Sequence, residues 1–214
     1  MTPDKNYAVR LKFQYKLGDN LEGFYMSRYK DKGGNTRYRI KDRRRCERQN
    51  LTFFIHNRLL ATSHFEPTYA RRAFPCFDEP ELKAKFLMTI THDRALRAFF
   101  NMPKKGSSEV RNKPDLVRDE FEETVEMSTY LVAFVVCDFA TIDKVNHVQF
   151  KFMFAQCHHT IVRFQMSDKG VNVSVIASRD KIDQATFALD SAAKIMDFYD
   201  DFFGVKYPLP KQGM

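Results

Sequence analysis

The chain has 214 residues, 43% hydrophobic and 14% aromatic, which is enough to bury a sizeable core and excludes wholesale disorder. It contains no run of about eighteen apolar residues, so no membrane-spanning helix is expected, and no basic-then-apolar signal pattern opens it. The net charge of +8 is concentrated between Arg37 and Arg48, where seven basic residues face only Asp42 and Glu47. That run has Tyr38 as its one aromatic and no Gly-rich loop, so no nucleic-acid partner is expected. Cys46, Cys76, Cys137 and Cys157 lack CxxC spacing and are too sparse for a disulfide scaffold, which leaves the redox compartment open.

In chain order, Val9, Leu11, Phe13, Tyr15 and Leu17 alternate with polar residues, which predicts a half-buried strand. Gly18-Asp19-Asn20 reads as a turn, residues 21–29 as a second strand, and residues 30–35, with Gly33-Gly34, as another turn. A short strand is expected over residues 59–64. The next stretch is punctuated by Pro67, Pro75 and Pro80, each of which removes a backbone donor. Thr68 is the predicted N-cap of a turn or two over residues 69–73. Phe74 and Phe77 then flank Pro75-Cys76 in what reads as a buried aromatic knot, with Asp78 and Glu79 in reach of Arg71 and Arg72.

Period two returns at Ala84, Phe86, Met88 and Ile90, and another strand pair is expected around residues 95–102. Residues 104–115 read as a polar loop and residues 116–125 as a weakly alternating strand. Residues 127–139, MSTYLVAFVVCDF, form a continuous apolar run of buried-strand length in which Cys137 is a small hydrophobe. Cys157, His158 and His159 invite a metal reading. Adjacent histidines on a strand point to opposite faces and no paired ligand motif lies near, so no metal site is expected. A strand over residues 171–177 precedes an amphipathic helix from about Asp183. Its apolar positions include Ala185, Leu189, Ala192, Ile195, Tyr199, Phe202 and Phe203, and Gly204, Pro208 and Pro210 stop it.

The stretch FEPTYARRAFPCFDEPELKAKF, residues 65–86, resembles the signature of the N-terminal β-domain in zinc aminopeptidases of the aminopeptidase N family. The likeness is greatest to the branch holding the endoplasmic reticulum and leucyl-cystinyl aminopeptidases. The stretches LEGFYMSRYKDKGGNTR, LLATSHFEPT, NMPKK, MSTYLVAFVVCDF and YPLPKQ are similar to the same family in the same order. The resemblance implies a mainly β fold, an antiparallel β-sandwich of saddle-like shape, followed by the start of an α-rich catalytic domain. It divides the chain into a partial β-domain at residues 1–178 and the first helix and loop of a truncated catalytic domain at 179–214. Residues 38–58 and 146–166 match nothing in the family pattern and are read as insertions into its scaffold.

The resemblance also implies site residues. In such enzymes a carboxylate from the β-domain reaches into the active site and binds the substrate's free α-amino group. Glu66 falls on that position. His64, two residues earlier, falls on a residue lining the first specificity pocket, where it departs from the family's glutamine. Without the family, a glutamate before proline is an ordinary solvated turn residue. Zinc in the complete family enzyme is held by an HExxH helix and a distal glutamate, and a GxMEN loop grips the peptide N-terminus. Neither motif occurs in these 214 residues, so this chain is expected to contain no catalytic residue, to bind no metal and to be inactive alone.

Two functional classes follow. In the first, the chain is the non-catalytic N-terminal portion of a zinc metallo-aminopeptidase that acts on peptides with a free N-terminus. It caps the cleft, contributes Glu66 and His64, and works with a missing catalytic domain. In the second, it is a stand-alone β-sandwich binding module or an inactive paralogue. The family implies a membrane anchor or the secretory pathway, but the sequence itself assigns no compartment.

Overall fold

The computed structural model describes residues 7–14, 17–18, 20–27, 29–30, 36–37, 51–55, 60–138, 160–166, 170–178 and 182–213. The basic run beyond Arg37, together with Cys46, Cys157, His158 and His159, lies outside the described residues.

Two four-stranded sheets form the main body. In the first, β1 (Gly23–Ser27), β5 (Leu60–His64), β10 (Phe134–Cys137) and β7 (Arg97–Phe100) lie side by side in that order, all antiparallel. In the second, β4 (Leu51–Ile55) runs parallel to β6 (Met88–Asp93), and β9 (Lys113–Phe121) and β8 (Lys104–Val110) follow antiparallel. A two-residue hairpin pair, β2 (Tyr29–Lys30) and β3 (Thr36–Arg37), stands apart. Phe24, Ala61, Ala98, Phe100, Phe134 and Val136 from the first sheet share one buried cluster with Met88, Ile90 and Phe121 from the second. Two sheets closing on a common apolar layer make a sandwich.

A second, smaller unit follows. β11 (Thr160–Met166) pairs antiparallel with β12 (Asn172–Ser178) over seven residue pairs, and β13 (Lys211–Gly213) adds to β12 in parallel. Helix α1 (Ile182–Phe203) packs on this sheet. Ala185, Leu189, Ala192 and Ala193 are buried against Val173 and Val175, a stripe at helical spacing. Gly204, at φ +65°, takes the left-handed conformation that ends the helix. The opposite side of α1 stays open: Phe187 is 81% exposed and Phe202 68%.

Several local expectations change. Among the described residues of 7–18 there is no extended strand, only isolated bridges, and Val9 and Leu11 are exposed. Among the described residues no strand pairs with this segment beyond those bridges, and pairing rather than pattern makes a sheet. Residues 104–115 are not a loop. They supply β8 and the start of β9, a hairpin turned at Asn112 with φ +60°. Its residues are nearly all exposed on β8, so an edge strand with two wet faces gave no apolar alternation to read. The run at 127–139 is not one strand: a 3-10 turn at Thr129–Leu131 interrupts it and β10 is four residues long. The turn over the proline-rich stretch is a 3-10 turn at Ala70–Arg72, capped by Tyr69 without a side-chain bond, so Thr68 is not its cap. Phe74 is buried but Phe77 is 75% exposed.

Polar side chains tie the sheets in two places, one half-buried and one buried. Asn101 spans the approach to β10, donating from Nδ2 to the Leu131 carbonyl at 3.0 Å and accepting the Ala133 N–H at 2.7 Å. Asp119, on β9, lies buried and accepts from Ser107 Oγ at 2.6 Å, Lys104 Nζ at 3.2 Å and His92 Nε2 at 3.2 Å. Burial works to raise the Asp119 carboxyl, but the bonds from His92 and Ser107 and the Lys104 ammonium outweigh it and hold it below its ordinary 3.8.

A folded-state value below the unfolded one contributes stability above pH 3.8 that is lost as pH falls through the depressed value. Acid titration of unfolding is therefore expected to show a limb in that window that Asp119→Asn removes. Phe134, which stacks against Phe24 at 4.7 Å and Phe65 at 6.0 Å between ring centroids, is fully buried. Phe134→Ala is expected to cost about 3–5 kcal/mol, read by denaturant unfolding.

Candidate functional site

The site grows from the end of β5. That strand is central in its sheet, held by β1 on one side and β10 on the other. Ser63 Oγ accepts the Phe134 N–H at 2.9 Å, which adds a side-chain tie to the neighbouring strand. Immediately after β5, Phe65 turns inward and is buried, edge-on to Phe74 at 5.8 Å and to Phe134 at 6.0 Å. The Phe65 carbonyl accepts the Tyr69 N–H at 2.8 Å, which closes the turn. Residues 64 and 66, on either side of this anchor, are both exposed. An inward Phe65 thus presents His64 and Glu66 outward from one end of the sheet, as strand alternation requires.

The Glu66–Pro67 peptide is cis. No hydrogen bond or ion pair to a described residue holds the Glu66 carboxylate. An exposed carboxylate on a rigid strand end, with its acceptor capacity unspent, suits a cationic ligand.

His64 is oriented from β1's approach. Its Nδ1 faces the Leu21 carbonyl at 2.8 Å and therefore donates to it, which leaves Nε2 directed away from that contact. Its ring stands edge-on to Tyr69 at 6.4 Å between centroids. The Arg72 guanidinium lies over the other part of this frame, 4.9 Å from the Tyr69 ring centroid, and pairs with Glu22. Arg71 does a separate job: its backbone N–H and Nε donate to Asp78 Oδ2 at 3.0 and 3.3 Å, and its Nη2 reaches Glu79 at 3.4 Å. The expected pairing of both arginines with Asp78 and Glu79 therefore holds for Arg71 alone. Glu22 and Leu21, forty to fifty residues before their partners, open a family-like stretch but were given no role by the sequence, because only the β1–β5 register brings them there.

Gly23 makes the frame fit. Its φ is +71°, and an added Cβ would lie 3.0 Å from Arg72 Cβ and 3.3 Å from the Tyr69 carbonyl. Thr129 and Ser128 tie the far side of the stretch by donating to the Phe77 and Pro80 carbonyls at 2.7 and 2.6 Å. Burial pushes the Cys76 thiol up to about 11, with Asp78 adding to the effect, so it is a poor nucleophile. Among the described residues no three of His, Cys, Asp and Glu gather where they could hold a metal ion.

The fold and the geometry of this strand end define a class, a β-sandwich domain that presents a histidine and a glutamate outward from a central strand. Residues 51–131 match the Peptidase M1 N-terminal domain family. The chain is 41% identical over 211 residues to endoplasmic reticulum aminopeptidase 2 of Homo sapiens, an alignment covering 99% of this chain and 17% of that protein. It is 39% identical to endoplasmic reticulum aminopeptidase 1 of Rattus norvegicus, covering 97% of this chain and 18% of that protein. To aminopeptidase 2, mitochondrial, of Saccharomyces cerevisiae it is 34% identical, covering 96% and 17%. The chain belongs to the M1, or aminopeptidase N, family. It spans about a sixth of the length of these relatives.

Gly23→Ala adds a methyl group where the backbone is left-handed and the neighbours are close. It is expected to destabilise the chain by about 1–3 kcal/mol in denaturant unfolding. The His64 ring signals should shift in the NMR spectrum as its carbonyl partner at Leu21 moves.

Proposed function

We propose that this chain is the non-catalytic N-terminal portion of a zinc metallo-aminopeptidase that removes N-terminal residues from peptides, and that it caps the active-site cleft. Glu66 binds the free α-amino group of the substrate, and His64 lines the pocket for the first side chain. The observation that carries this reading is the Glu66 carboxylate itself: exposed, directed outward from a central strand, and without a partner among the described residues. Membership of the aminopeptidase family supports the substrate class.

The chemistry is direct. An α-ammonium placed against Glu66 gains a charge-assisted hydrogen bond that an acylated N-terminus cannot make, so the site selects free N-termini. Because Phe65 and the Tyr69 turn fix the strand end, the backbone that carries the carboxylate is set before substrate arrives, and only the Glu66 side chain is ordered on binding. The expected zinc site of the full enzyme does not fit the residues described here, since they offer no ligand cluster. The role proposed for this chain rests on Glu66 and His64, and is binding and orientation.

In the full-length enzyme, Glu66→Gln should lower kcat/KM for aminoacyl substrates roughly 10- to 100-fold, mostly through KM. Stability should be unchanged, because the side chain is exposed. An unaltered kcat/KM would remove Glu66 from the site.

A further inference from the structure

A second concavity lies away from Glu66. It is a cavity of about 570 Å³ between the first sheet and the segment that returns from the end of α1 to form β13. Its walls come from Leu60, Phe99, Val135, Ile176 and Leu209 among others, and are mainly apolar. The volume is in the range of small-molecule sites.

The few polar groups in the wall are mostly occupied. Asn101 is engaged on both sides by Leu131 and Ala133. Tyr207 Oη donates to Gln212 Oε1, and the Tyr207 N–H donates to Asp200 at 2.9 Å. Thr62 Oγ1 donates to the Ser63 carbonyl at 3.4 Å. Lys211 differs. It is held at a fixed place by the parallel pairing of β13 with β12, where it stands opposite Asn172. No hydrogen bond or ion pair to a described residue satisfies its ammonium, and no acidic residue is among those lining the cavity. An ammonium beside apolar walls with no carboxylate to meet it is a costly arrangement in an empty site.

We propose that this cavity binds a small apolar carboxylate, with Lys211 Nζ pairing the carboxylate and the apolar walls taking the chain. An aliphatic acid and the C-terminal residue of an apolar peptide share this chemistry. The state of the lysine agrees: burial alone lowers it from 10.5 to about 8, with no opposing charge to restore it. The other ionisable group in the wall, Tyr207, is raised by burial above its ordinary 10.0. It stays neutral while the lysine titrates, so the pH dependence of anion binding belongs to Lys211.

Calorimetric titration of the purified 214-residue chain tests this, with decanoate, decanamide and N-acetyl-Leu-Leu as probes and circular dichroism to verify the fold of each variant. Saturable binding of decanoate at pH 7, at least about tenfold tighter than decanamide, is expected. Lys211→Met should abolish that preference, Lys211→Arg should retain it, and affinity should fall as pH rises beyond about 8. If N-acetyl-Leu-Leu binds more tightly than decanoate, with the same dependence on Lys211, the source is a peptide C-terminus; the reverse order identifies a free aliphatic acid. Equal affinity for decanoate and decanamide, an unchanged preference in Lys211→Met, or no saturable binding of either acid would overturn the proposal.

Discussion

The arrangement depends on one buried contact, the packing of Phe65 between Phe74 and Phe134 at the end of a central strand. Phe134 belongs to β10 and also meets Phe24 from β1, so a single aromatic cluster locks three adjacent strands of one sheet. Buried aromatic rings of this size dominate local packing energy, and their edge-to-face geometry fixes orientation as well as separation. With Phe65 pinned inward, residues 64 and 66 have no choice of face. The outward direction of His64 and Glu66 is thus a consequence of core packing, reached without any strong polar bond to Glu66.

Around that anchor the polar frame does a second job. The Leu21 carbonyl and the Tyr69 ring fix the His64 ring, Arg72 covers Tyr69 and pairs with Glu22, and Gly23 lets the two segments approach closely enough to do so. The bonds of His64 to Leu21 and of Arg72 to Glu22 join residues more than forty positions apart in the chain, so they exist only once β1 has paired with β5. This supporting shell orients His64, while Glu66 owes its direction to the Phe65 anchor alone.

How much of this was legible in the sequence follows from the same physics. Strands with one buried face, such as β1 and β5, announce themselves by alternation or by the apolar residues that flank them. The helix was readable from Ala185, Leu189 and Ala192 because its buried stripe keeps helical spacing. β8 was missed since both its faces are wet, and the strand expected near Val9 failed because alternation there finds no partner strand among the described residues. The apolar run before Phe134 concealed a turn at Thr129–Leu131, because length and hydrophobicity do not report where a backbone bends. Residues 64 and 66 were marked by their likeness to a family pattern; composition and spacing alone gave no reason to single out Glu66. Glu22, Leu21 and Lys211 lie in family-like stretches, but the likeness gave them no role, since their significance is tertiary.

The central claim is that Glu66 receives the amino group of a peptide. The most direct measurement is a crystal structure of the full-length protein with a bound peptide whose N-terminus is free. The account predicts a Glu66 carboxylate oxygen at hydrogen-bonding distance, about 3 Å, from the α-ammonium nitrogen. An occupied cleft in which that nitrogen is met by other groups, and Glu66 faces solvent, would contradict it.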